Sequence, residues 1–179
     1  AEYDNISVKD IPVGSRLHYL AFDGVNDSMV TSAFSLNGAD PSQVSIAAKV
    51  DSASNNQGIL NYGSGTTNTA RAVDFLNSSS TKVDAGGNAA PAVSFNLSNP
   101  NVFGARFGAS VDSSVNGGAF TQSNVATNTN AGTYKVGLGI LGNAPSHQNY
   151  GVVIVHRLLT GDEFINLTAY LATKSGVTL

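Results

Sequence analysis

Few residues in this chain could carry covalent chemistry. It has 179 residues, no cysteine, three histidines (His18, His147, His156), two glutamates (Glu2, Glu163) and ten aspartates. Without cysteine there is no disulfide scaffold, no Cys-based zinc site and no thiol nucleophile. Glycoside hydrolysis needs two carboxylates at a set separation. Glu2 is terminal, and Glu163 sits three residues after Thr160 in a helix capping box. Asp23, Asp51, Asp74, Asp84 and Asp112 stand in turn or strand-edge contexts. No G-x-S-x-G elbow occurs to support a serine nucleophile.

Cofactor signatures are equally thin. Gly137, Gly139 and Gly142 satisfy G-x-G-x-x-G, but Asn143-Ala144-Pro145-Ser146 follows where a dinucleotide site needs a helix. The expectation there is a glycine-rich strand or bend. No two histidines have metal-ligand spacing. Asp23, Asn26 and Asp27 put three oxygen side chains within five positions and are weak calcium candidates. Calcium takes six to eight oxygens, and a turn held by Asx hydrogen bonds accounts for the same residues.

What remains is recognition. Amide side chains and aromatic platforms suit neutral, hydroxyl-rich ligands such as glycans better than dense charge does. Tyr62 and the polar run His147, Gln148, Asn149 and Tyr150 are the candidate ligand-binding residues, read as lying on loops. No tryptophan is present to strengthen the stacking surface.

Short strands must position these residues. Val44–Val50 alternates with period 2. Further short apolar runs at 17–22, 59–62, 72–76, 93–97, 102–107, 109–115, 134–140 and 151–156 are separated by turn clusters. Asn116-Gly117 is the strongest hairpin signal. Ten or more strands at this spacing indicate a sandwich or jelly roll, not βαβ units. The loops 125–132 and 143–149 are long and polar. One helix is predicted over about 160–174: Thr160 caps it, Glu163 completes the box, and Phe164, Leu167, Thr168 and Leu171 form its apolar face. Gly176 is the natural terminator. Residues 1–16 read as a terminal strand or linker, and 17–179 as one domain; the stretch 3–12 (YDNISVKDIP) resembles the last strand of a different β-sandwich module, which implies the trailing strand of an upstream domain.

The composition agrees. Ser, Thr, Asn and Gly make up about two fifths of the chain, while charged residues are 12%, about half the usual share. The net charge of −3, with Lys and Arg scattered singly, speaks against a nucleic-acid surface. No apolar run reaches the length of a membrane-spanning helix.

The closing segment 151–176 resembles the end of concanavalin A-like (laminin-G-like) jelly-roll domains. There a strand runs into the pattern hydrophobic-x-R-x-L-T-x-x-E, here Val155, Arg157, Leu159, Thr160 and Glu163. The stretches 22–27 (FDGVND), 114–120 (SVNGGAF) and 134–141 (YKVGLGIL) resemble earlier parts of such modules in order. The E-x-D-x-x-E strand motif of the superfamily's glucanases is absent. The stretches 21–36 and 170–177 resemble modules of phage tail fibres and tailspikes. The resemblance implies an all-β sandwich of two antiparallel sheets with one C-terminal helix. It implies a non-catalytic virion or extracellular module for host-surface attachment through a glycan. Its expected partners are fibre subunits, as a trimer, with neither nucleic acid nor membrane insertion. Calcium is the cofactor it leaves open. A structural fibre domain, a bacterial extracellular glycan-binding module and a glycoside hydrolase are the alternative readings.

Overall fold

The computed structural model describes residues 7–10, 18–25, 27–32, 40–54, 57–63, 71–85, 88–97, 99–123, 132–137, 143 and 145–179. The described residues form fourteen strands and one helix. The strands are β1 (Ser7–Asp10), β2 (His18–Phe22), β3 (Met29–Val30), β4 (Ser42–Val50), β5 (Gly58–Tyr62), β6 (Arg71–Asn77), β7 (Ser80–Ala85), β8 (Asn88–Ala89), β9 (Val93–Ser94), β10 (Asn101–Phe107), β11 (Val111–Val115), β12 (Thr121–Ser123), β13 (Tyr134–Val136) and β14 (His147–Val155). The helix is α1 (Gly161–Ser175).

Two antiparallel sheets face each other. The first runs β1-β2-β14-β4-β10-β11-β12, the second β3-β13-β5-β6-β7-β8 with β9 also on β7. This is the expected all-β sandwich with a single C-terminal helix. Val44, Ile46, Phe103, Phe107 and Val111 from the first sheet meet Leu60, Val73, Phe75 and Val83 from the second, all at 1% exposure or less. Phe75, Phe95 and Phe103 pack with centroids 5.1 to 5.8 Å apart, within the range where aromatic pairs attract.

β4 shows why its sequence reads as it does. Val44, Ile46, Ala48 and Val50 point into the sandwich. The alternate positions Ser45 and Ala47 are small, and both are fully buried, because α1 lies across the outer face. Leu171 and Ala172 close a second cluster there with Ala47 and Val102. Phe164 sits over Gly104, where a β-carbon would come within 3.3 Å of its ring.

The closing motif has a mechanical reason. Thr160 accepts from the Glu163 N–H, and the Glu163 carboxylate accepts from the Thr160 N–H at 2.9 Å. Arg157 grips the same carboxylate with two bonds of 2.7 Å. Arg157 and the Thr160 N–H hold Glu163 at a pKa of about 2, and Glu163 reciprocally raises that of Arg157. Gly176 ends the helix with φ +73°. At the predicted hairpin, Asn116 (φ 51°) and Gly117 (φ 74°) are both left-handed, and the Gly118 N–H bonds the Val115 carbonyl, as a type I′ turn requires.

Several expectations differ from the fold. Ser7–Asp10, expected as linker or trailing strand of another domain, pairs along its whole length with β2. Residues 147–149, read as loop, are strand: they pair with β2 on one side and β4 on the other. β7 falls between the predicted runs 72–76 and 93–97, where no strand is expected, although Thr81, Val83 and Ala85 alternate towards the interior. His156, at the end of the predicted run 151–156, is exposed just past β14. Gly139 and Gly142 of the glycine run, and most of loop 125–132, lie outside the described residues. Gly137 is a bend at φ +91°, where a β-carbon would fall 2.5 Å from the Phe22 ring.

Candidate functional site

The polar residues predicted for binding converge on β14, but they divide between its two faces. His147 is 1% exposed and stacks on Phe22 with ring centroids 4.5 Å apart and planes 6° off parallel. Its Nδ1–H donates to the Pro145 carbonyl at 3.0 Å, and Nε2 has no partner. Burial, opposed by that carbonyl and by Asp51 and Asp27, lowers its pKa to about 4. Tyr62 is wholly buried against Tyr134, with centroids 4.9 Å apart. Neither side chain presents to a ligand from outside, a correction to the loop surface expected of them. Both are aromatic rings at inward strand positions, where the sandwich needs volume.

Gln148, Asn149 and Tyr150 are brought together at a β-bulge. Asn149 pairs with Ala48 and Gly151 with Ala47, so Tyr150 is an extra residue in β14. A bulge re-aims side chains and breaks pairing. Here it directs Tyr150 to the helix-covered face, where it packs against the second apolar cluster. Pairing with β2 ends at the same place, since only residues 147–149 meet β2.

A cleft of about 260 Å³ opens where the strands part. Tyr19, Leu20, Met29, Asn149, Tyr150 and Val152 line it. Tyr19 and Tyr150 form two of its walls, 5.6 Å apart between centroids and inclined at 58°. The Tyr150 hydroxyl donates to Gln148 Oε1 at 2.8 Å. Burial, with Tyr19 and Asp51 nearby, raises the pKa of Tyr150, so the hydroxyl keeps its proton.

Asn149 is the buried amide in the lining of this cleft. It is 4% exposed, and its Oδ1 accepts from the Gly151 N–H at 3.0 Å. Its Nδ2 donor has no partner. An unmade hydrogen bond at a buried amide costs about 1 to 3 kcal/mol. An amide donor and a hydroxyl beside two tyrosine rings can bind a small ring bearing hydroxyl groups.

Of the calcium candidates, Asp23 and Asp27 each hold a backbone N–H, while Asp27 Oδ1 has no partner. Asp27 Oδ2 accepts from the Asp23 N–H at 2.8 Å, and Asp23 Oδ1 from the Val25 N–H at 2.7 Å. The second of these is the bond of an Asx-type turn. Asn26 lies outside the described residues. Among the described residues no cluster of three His, Asp or Glu side chains could hold a metal ion.

Sequence reasoning missed Tyr19. It lies inside a run read as structural strand, and only the register that sets β2 beside β14 reveals its neighbour. The spacing Gln148-Asn149-Tyr150-Gly151, with a large ring before a glycine in an apolar strand, was the one available sign of a bulge.

No family model matches the sequence, and no curated protein matches it significantly. Solved structures do share its fold. Trypanosoma rangeli sialidase in complex with the inhibitor DANA superposes with a TM-score of 0.64 at 14% identity, over 92% of this chain and 28% of that one. The binding domain of botulinum neurotoxin serotype G gives 0.69 at 8% identity, over 94% and 45%. Domain 4 of an extracellular arabinanase from Geobacillus stearothermophilus, in complex with arabinotriose, gives 0.64 at 10% identity, over 92% and 81%. The chain thus spans less than half the length of the sialidase and neurotoxin chains. At these identities the likeness is one of fold: all three contain a β-sandwich of this kind.

Proposed function

We propose that this chain is a non-catalytic glycan-binding module that attaches an extracellular or virion fibre to a host surface. The buried, unpartnered Asn149 amide in a cleft walled by Tyr19 and Tyr150 carries the reading. Sugars offer hydroxyl acceptors to such a donor and C–H faces to tyrosine rings. Structural neighbours crystallised with sialic acid and with arabinotriose support it, as does a neurotoxin described as depending on two ganglioside molecules. The low charge and the surfaces rich in Ser, Thr and Asn suit a virion or extracellular setting. Glu163 is ionised and locked by Arg157 at the helix cap, which suits no general acid.

The test is a glycan array and calorimetric titration of the 179-residue chain, with Tyr150→Ala alongside. Binding of at least one glycan, weakened about tenfold or more in the variant, is the expected result. A chain that binds no glycan but forms stable trimers would replace this reading with a structural fibre role. Sugar release from a polysaccharide would make the chain a hydrolase. Competition by the chain against particle adsorption to host cells tests the attachment role.

A further inference from the structure

A second cleft of about 330 Å³ adjoins the first on the helix side. Tyr150, Gly151 and Val152 line both, so the two clefts share a wall along β14 and together make a groove. Leu171 packs against Gly151 there, since a β-carbon would lie 3.1 Å from Leu171 Cδ2. At the far end stand Tyr170, which is 56% exposed, and Lys174, whose Nζ lies 5.5 Å from the Tyr170 ring centre.

Lys174, in the last turn of α1, is the cation of the second cleft. Among the described residues no carboxylate pairs with it, in a chain whose net charge is negative. The nearby carboxylate is at the other end, where Asp51 acts on Tyr150. The groove is therefore polarised: an amide and two tyrosines at one end, an ammonium over a tyrosine at the other.

Resting on the glycan-binding reading, we infer that the groove takes an oligosaccharide carrying a carboxylate. A neutral ring sits between Tyr19, Tyr150 and Asn149, and the acid group of a neighbouring sugar reaches Lys174. Lys174 then selects acidic over neutral glycans, while Tyr170 supplies the wall beside it.

The test uses an array of acidic and neutral glycans. The acidic glycan bound best is then titrated beside the same glycan with its carboxylate converted to an amide. The intact chain is expected to prefer the acid form by roughly fivefold, as befits a partly exposed charge pair. Lys174→Gln should abolish the preference, whereas Lys174→Arg should retain it. Tyr150→Ala should weaken both forms. Equal affinity for acid and amide forms, or an unchanged preference in Lys174→Gln, overturns the inference and leaves the glycan reading standing. An array showing only neutral glycans does the same. Binding to no glycan overturns both.

Discussion

Two buried asparagines flank Ala48, one on each side of β4. Asn101 of β10 and Asn149 of β14 are both its register partners. Asn101 belongs to a closed knot. Its Nδ2 donates to the Asn96 and Asn99 carbonyls at 2.8 and 2.9 Å, and its Oδ1 accepts from Asn116 at 3.2 Å. Asn116 in turn accepts from the Val102 N–H at 2.7 Å. A polar cleft of about 300 Å³ lies there too, between these asparagines and the C-terminal residues. Asn149 makes one bond and leaves its donor bare. The same residue type at mirrored positions is therefore structural on one side and available on the other. A cleft rich in amides is weak evidence of binding when its buried amide is already bonded. One unmade bond at 4% exposure is stronger evidence.

The largest effect that would sharpen this contrast is on folding. Asn101→Leu should cost about 3 kcal/mol in urea denaturation, because the turn carbonyls lose their donors. A cost below about 1 kcal/mol would dissolve the distinction between the two sites.

Next comes acid. His147 has a folded pKa of about 4 against an ordinary value of 6.5, so the unfolded chain binds its proton first. Its neutral form thus contributes stability above pH 6.5, lost progressively as pH falls towards 4. The loss should be roughly 2 to 3 kcal/mol. Denaturation across that range, compared with His147→Phe, checks it; an unchanged slope in the variant would assign the loss to other groups.

Thr160→Ala should cost about 1 kcal/mol by removing the cap on the Glu163 N–H, read as a fall in melting temperature with glycan binding intact. Smallest of all, Asn149→Leu should alter stability by less than about 1 kcal/mol. The lost bond to Gly151 is offset by removing an amide that had no partner. The same variant should abolish glycan binding in titration. A large destabilisation there would show Asn149 to be structural like Asn101.

The helix and its cap were legible in the sequence because their signals are local. Thr160, Glu163 and Gly176 lie within one helix length, and helix periodicity is set by nearest neighbours along the chain. The turn at Asn116-Gly117 was legible for the same reason. The apolar alternation of β4 announced both a strand and an all-β fold. β7 and the first half of β14 were not legible, since serine, asparagine and histidine carry weak strand signals and are held by their neighbours on either side.

The sequence by itself determined the fold class, the terminal helix and the poverty of acid–base pairs. It also nominated Gln148, Asn149 and Tyr150. Only the tertiary structure decided that Tyr62 and His147 turn inward, and that Tyr19 and Tyr150 face one another. It also set an unpartnered amide beneath them. Those outcomes depend on strand register and on one bulge. Register is a property of pairs of strands distant in sequence: β2 meets β14 across more than a hundred residues, and no local pattern encodes which residues will stand opposite.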